Sequence, residues 1–233
     1  MSHTSQRRGL TLGKEMIVLA MVPSAYADND RAGKALSELA VKMLEHRPDN
    51  WMSRNFTEIT IPDIGPAQPA VEWAHKNWPY RTERLLMNLV GRMSTVVTAV
   101  FTDMEKVNSL IADLKGEWLQ KNREAGAPVS VVLTGLFEDV HSSCETVGNT
   151  PHTYLHSLGF RGKVEELPGP LELEIMTMCG HGLVAMNRVR YLRERIEKGR
   201  MTAREAAEDI AKPCVCGIVN IERAEEIFEK MTR

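Results

Sequence analysis

The chain has 233 residues, 43% of them hydrophobic and 26% charged, with a formal net charge of −2 at pH 7. That composition supplies a globular core and leaves no overall basic field for holding nucleic acid or an acidic membrane surface. No apolar run approaches the roughly 18–20 residues that span a bilayer.

The polar stretch Met1–Gly13, with Arg7 and Arg8, reads as a flexible tail. The short apolar run that follows, Met16–Val22, is a core strand and not a secretory leader. The expected setting is therefore cytoplasmic and reducing, where the four cysteines are thiols or metal ligands and not disulfides.

Taken in chain order, Glu15–Val22 has the continuous apolar character of a strand buried on both faces. A helix is predicted from Asp30 to Leu44, with Ala32, Leu36, Leu39, Ala40 and Met43 on one stripe. Phe56–Ile61 alternates as a second strand, and Pro62–Pro69 is a proline-rich loop. A helical pattern covers Val71–Met93, interrupted at Pro79. Thr95–Phe101 is a β-branched strand, and Asp103 caps a helix over Met104–Asn122. Val129–Leu133 is a strand, Phe137–Thr146 a helix, and Leu171–Met176 (LELEIM) alternates as a further strand.

Three helices close the chain. The first runs from near Gly182 to Lys198, the second from the Thr202/Glu205 capping box to Ala211, and the third over Ile221–Met231 behind Asn220. Alternating strands and helices predict an α/β fold with a mostly parallel sheet flanked by helices. Residues 14–180 form the α/β domain, and residues 181–233 form a helical C-terminal segment packed on it. The glycine-rich dinucleotide fingerprint and the P-loop pattern are both absent.

The chemistry-bearing residues gather late, from His141 onward. Met178-Cys179-Gly180-His181-Gly182 falls between the predicted LELEIM strand and a helix. Exposed N–H groups at a helix start favour an anion, so the Cys179 thiol should ionise readily and serve as nucleophile or metal ligand. A tight turn around a buried cysteine is the plain alternative.

Pro213-Cys214-Val215-Cys216-Gly217 puts two thiols in one inter-helix loop. Two sulfurs so close can face one ion or cluster, although the spacing is not that of the common zinc knuckles. Glu138, His141 and Cys144 share one helix face by their three-residue spacing, as a metal ligand or acid–base group or simply as a surface histidine above a half-buried cysteine. His152 and His156 are a weaker pair, suited to substrate or local hydrogen bonding. Arg188, Arg190, Arg193 and Arg195, interleaved with glutamates, read as a solvated, ion-paired helix face. The thirteen methionines show core spacings and no dense copper-type cluster.

Two resemblances attach to these motifs. The phrase MCGHG, Met178–Gly182, is similar to the thiol motif of proline racemases, where it implies a cysteine that moves a proton at a substrate α-carbon. The match covers five residues, and three C-terminal helices do not fit that two-lobed fold. More broadly, CGHG, the charged helix from Thr202 and Pro213–Asn220 (PCVCG followed by Asn220) resemble the methanogenesis marker protein 8 type over roughly the last quarter of the chain. That resemblance implies an anaerobe's soluble protein with a metal or cluster role, and it supplies no reaction.

Three functional expectations follow. The first is a metal-dependent enzyme acting on a small molecule, with Cys179, Cys214 and Cys216 as ligands and Cys144 or His181 as the fourth, around an iron–sulfur cluster or zinc. The second is metal-free thiol catalysis, with Cys179 as proton carrier or nucleophile and His181 or His141 as base, Glu138 beside it. The third is a metal or cofactor carrier or accessory subunit whose helical C-terminus docks a protein partner or a second copy.

Overall fold

The computed structural model describes residues 7–26, 30–52, 60–61, 65–66, 96–155, 159 and 161–233. The strand ends, caps and helix spans fall close to where the pattern places them: β1 is Met16–Met21, α1 Asp30–Glu45, β5 Val96–Phe101, β6 Ser130–Thr134 and α4 Phe137–Thr146. The short strand β2, Asn50–Trp51, carries no sequence signal of its own. Thr60–Ile61 (β3) and Gly65–Pro66 (β4) form a two-stranded antiparallel pair. The start of the second predicted strand, most of the proline-rich loop, the helix predicted over residues 71–93 and His156 lie outside the described residues.

The parallel sheet is not what forms. The main sheet has four strands in the order β2-β5-β1-β6, and every neighbouring pair is antiparallel. The β-α-β crossovers are real, but each joins two like-directed strands that are not neighbours. β1 and β2 run the same way with β5 between them, while β5 and β6 run the same way with β1 between them. This is the split β-α-β connectivity of ferredoxin-like sheets, a topology that carries no function with it.

Both faces of this sheet are covered, which explains why β1 reads as an unbroken apolar run. Met16, Val18 and Ala20 face one way with Val97, Ala99 and Phe101, under α1 and α2 (Met104–Leu114). Ile17 and Val100 face the other way. Continuous hydrophobicity signals burial on both faces, and a parallel sheet is only its commonest cause.

The second face is roofed by the C-terminal helices α5 (Pro170–Met178), α6 (Met186–Glu197), α7 (Ala203–Ala211) and α8 (Ile221–Met231). Their buried stripes, including Ile175 and Met178, Val189 and Leu192, Ile210, and Ile227 and Phe228, merge into one core with Ile17 and Val100. Helix α5 corrects the predicted LELEIM strand. Pro170 opens it, the Glu172 carboxylate accepts from Gly169 N–H at 3.1 Å, and the buried residues Glu172, Ile175 and Met178 recur every third position. Glu172 tolerates burial because Arg190 grips its carboxylate at 2.7 Å.

The helix expected from Met104 to Asn122 is divided at Gly116, which has a φ of +73°, into α2 and α3 (Glu117–Glu124). Downstream, Thr202 and Glu205 form the reciprocal capping box of α7, and Asn220 Oδ1 accepts Arg223 N–H at 3.0 Å to cap α8. Among the described residues, no helix is long and apolar enough to cross a membrane.

Candidate thiol and metal centre

Two turns on the second face of the sheet carry the site. The first follows α5. Cys179 is the residue closing that helix, so it sits at a helix C-terminus and not, as its sequence context suggests, beside a strand end and a helix start. The helix dipole alone would therefore oppose a thiolate. The turn reverses this. The turn folds back, with Gly182 N donating to Cys179 O at 3.0 Å, and brings the backbone N–H groups of His181 and Leu183 close enough to favour a Cys179 thiolate.

The second turn joins α7 to α8 and is built onto the sheet. Asn50 Nδ2 donates to Val219 O at 2.8 Å, and Thr98 Oγ1 donates to Cys216 O. Asn50, Thr98 and Val100 share this face of β2 and β5 by register. Gly217 takes a φ of +61° directly over the β2 backbone, where a Cβ would lie 1.9 Å from Trp51 O. Only glycine satisfies both the angle and the approach.

These turns bring their thiols together. Cys214 lies beside Cys179 as the neighbour that most favours its thiolate, and Cys216 Sγ lies 3.6 Å from His181 Nδ1. Cys179 and Cys214 are buried, Cys216 is half-buried and His181 is exposed, so the cluster has a closed inner end and an open outer one.

The hydrogen bond from Cys214, the two N–H donors and the adjacent His181 pull the Cys179 pKa down to about 5, against the opposing effect of burial. The same shared proton, with burial and the Cys179 charge, pushes Cys214 up. Burial and that charge also raise Cys216. The opposed directions of the two shifts favour one proton shared between the two sulfurs.

The remaining predicted residues do not join it. Cys144, His141 and Glu138 lie on α4, whose Val140, with Val147 just past its end, packs against the first core, on the opposite side of the sheet from the thiol cluster. Cys144 is buried there, and that burial raises its thiol pKa. The His141 ring stacks on Tyr154 and meets Phe137 at a tilt, with centroids 5.4 and 4.4 Å away. Glu138 is exposed at the start of the helix. His152 is exposed and meets Thr153 Oγ1 at 2.8 Å. The basic face of α6 is ion-paired: Arg188 with Asp209, Arg190 with Glu172, Arg193 with Glu197 and Lys198 with Glu194.

The residue that sequence reasoning missed is Arg7, placed in the supposed tail. Its side chain is 1% exposed and ion-paired with an equally buried Glu15. A basic residue near a terminus gives no signal of burial in a single sequence, because its partner is set by tertiary contact.

Scans against protein-family models, curated proteins and solved structures found no match. Among the described residues, no three or more His, Cys, Asp or Glu side chains are disposed as a ready metal shell. All four cysteines are free thiols.

Proposed function

We propose that this chain is a thiolate-dependent metalloprotein acting on a small molecule, with Cys179, Cys214, Cys216 and His181 as the donors. The observation that carries this reading is the convergence of two loops more than thirty residues apart in sequence, with Cys216 Sγ at 3.6 Å from His181 Nδ1 and Cys214 beside Cys179. Three sulfurs and an imidazole form a soft donor set, suited to an iron–sulfur cluster or to zinc.

The donors stand as two contacting pairs and not as a finished shell. Binding therefore requires Cys216 and His181, the two with solvent access, to turn toward the buried Cys179–Cys214 pair. The Cys214 proton must leave in the same event, which makes affinity rise with pH. His181, at the open end, is the donor that a substrate would displace or approach. The resemblance of Cys179–Gly182 and Pro213–Asn220 to the methanogenesis marker protein 8 type points in the same direction, toward a metal-handling protein of an anaerobic cytoplasm.

The test is metal and acid-labile sulfide analysis of anaerobically purified protein beside its Cys214→Ser and Cys144→Ser variants. Stoichiometric metal that disappears with Cys214→Ser and persists with Cys144→Ser is the expected outcome. Protein that holds no metal even after anaerobic reconstitution refutes the reading.

The Cys179–Cys214 contact also favours a second reading, metal-free thiol chemistry. Cys179, cradled by the His181 and Leu183 N–H groups, would act as nucleophile or proton carrier, with His181 as the nearby base. Full activity in metal-stripped protein, abolished by Cys179→Ser, separates this reading from the first.

A further inference from the structure

The two thiol turns are joined behind the sulfurs by one side chain. Arg7 Nη1 donates both to Met178 O, the carbonyl immediately before Cys179, and to Ile218 O, two residues beyond Cys216, the latter at 3.0 Å. The other edge of the same guanidinium is held by Glu15, the residue before β1: Nε donates to Glu15 Oε1 at 2.9 Å, and Nη2 donates to the same oxygen. Glu15 is in turn fixed by Arg223 of α8 at 3.2 Å, and Arg223 reaches Glu174 of α5 at 3.3 Å. The Pro213–Val219 turn is anchored to the sheet independently through Asn50 and Thr98. The turn after α5 reaches it through Arg7 Nη1 and the thiols.

We infer that Arg7 is a positioning residue for the thiol centre: its guanidinium sets the separation of the Cys179 and Cys214–Cys216 turns, with Glu15 fixing its orientation. This inference rests on the donor set proposed above. The guanidinium is suited to the task, since its planar fork presents donors on two edges at fixed angles. One edge meets a carboxylate and the other two carbonyls. A lysine ammonium at this position can keep the charge pairing with Glu15 but cannot span both carbonyls in that plane. Residues 7–15, outside both thiol turns, thereby become part of the site's supporting shell.

Arg7→Lys is the informative variant, read by cobalt(II) titration of the metal-free chain. Thiolate-to-cobalt charge-transfer absorption reports sulfur ligation, and d–d bands report geometry. A second readout, in a Cys144→Ser/Cys216→Ser background, is the equilibrium constant for the Cys179–Cys214 disulfide against glutathione, which measures how closely the two sulfurs are held. Arg7→Met with Glu15→Gln removes the bridge without leaving an unpaired buried carboxylate, and it serves if the lysine variant does not fold.

The expected result is a loss of about tenfold or more in cobalt affinity, the size of effect that outer-shell residues have on metal sites. Weakened charge-transfer bands and a similar fall in the disulfide constant accompany it, while the urea unfolding transition stays cooperative. Variants that match the parent chain in cobalt affinity, spectrum and disulfide constant overturn the inference and leave Arg7 as a buried ion pair only. A parent chain that binds no cobalt overturns the donor set first, and the inference with it.

Discussion

Gly217→Ala is the most exacting single perturbation of the way the sheet holds the site. A Cβ built at this position lies 1.9 Å from Trp51 O, 2.0 Å from Trp51 C and 2.6 Å from Met52 N. An unstrained carbon contact needs about 3.5 Å or more, so the turn must retreat from β2 by roughly 1.5 Å. Both neighbouring anchors, Asn50 Nδ2 to Val219 O at 2.8 Å and Thr98 to Cys216 O, pass beyond hydrogen-bonding range with such a shift. Each lost bond costs about 0.5–1.5 kcal/mol net. The left-handed backbone angle, φ +61°, adds about 1–2 kcal/mol for a residue with a Cβ. Together these give a destabilisation of about 2–5 kcal/mol. Urea unfolding monitored by far-ultraviolet circular dichroism measures it, and the Cys179–Cys214 disulfide constant reports the displaced turn. A variant within about 0.5 kcal/mol of the parent, the range of an unremarkable surface change, and with an unchanged disulfide constant refutes the proposed packing of this turn on the sheet.

Alkylation of Cys179, normalised to its own plateau, should remain substantial at neutral pH and decline only as pH falls through about 5, because the thiolate is the reactive form and its pKa is depressed. Cys144, whose pKa is raised by burial, should show the opposite behaviour and react only in alkali; mass spectrometry of the labelled peptides distinguishes the two. Cys144→Ala should leave metal content and the Cys179 pH profile unchanged, since α4 packs on the other side of the sheet. Asn220→Ala should cost about 1 kcal/mol in thermal or urea unfolding through loss of the α8 cap; no measurable cost would show that the cap is replaced by another acceptor. Phe228→Ala, at a fully buried position among the C-terminal helices, should cost about 3–5 kcal/mol in the same assay.

The residues that determine local structure were legible one at a time. Asp103, Thr202 with Glu205, and Asn220 bond the first N–H groups of the helices they precede, as their sequence positions indicate. Among the described residues, the clear error of element type is Leu171–Met176, and it has a simple cause. Four residues of alternating leucine and glutamate followed by Ile175 satisfy a strand pattern, yet Leu171, Ile175 and Met178 also fit a helical stripe, and Pro170 sits where a helix begins. A short apolar run does not separate the two periods. The thiol and imidazole side chains were legible by residue type, but not which of them meet in space. Residue type and spacing left Cys144 and His181 as alternatives for a fourth ligand, and only the two faces of the sheet divide them.

The sequence by itself determined the spans of most described helices and strands, the burial of β1 on both faces, and the presence of soft donors at Cys179, His181, Cys214 and Cys216. Those properties depend on side chains within a turn or two of one another, so a linear pattern records them. Tertiary structure decided the antiparallel order β2-β5-β1-β6, the pairing of Cys179 with Cys214, the exclusion of Cys144, and the burial of Arg7 against Glu15 and two distant carbonyls. Each of these is a contact across tens to hundreds of residues. Such contacts are selected by how two covered sheet faces fill with side chains, and no local periodicity encodes that choice.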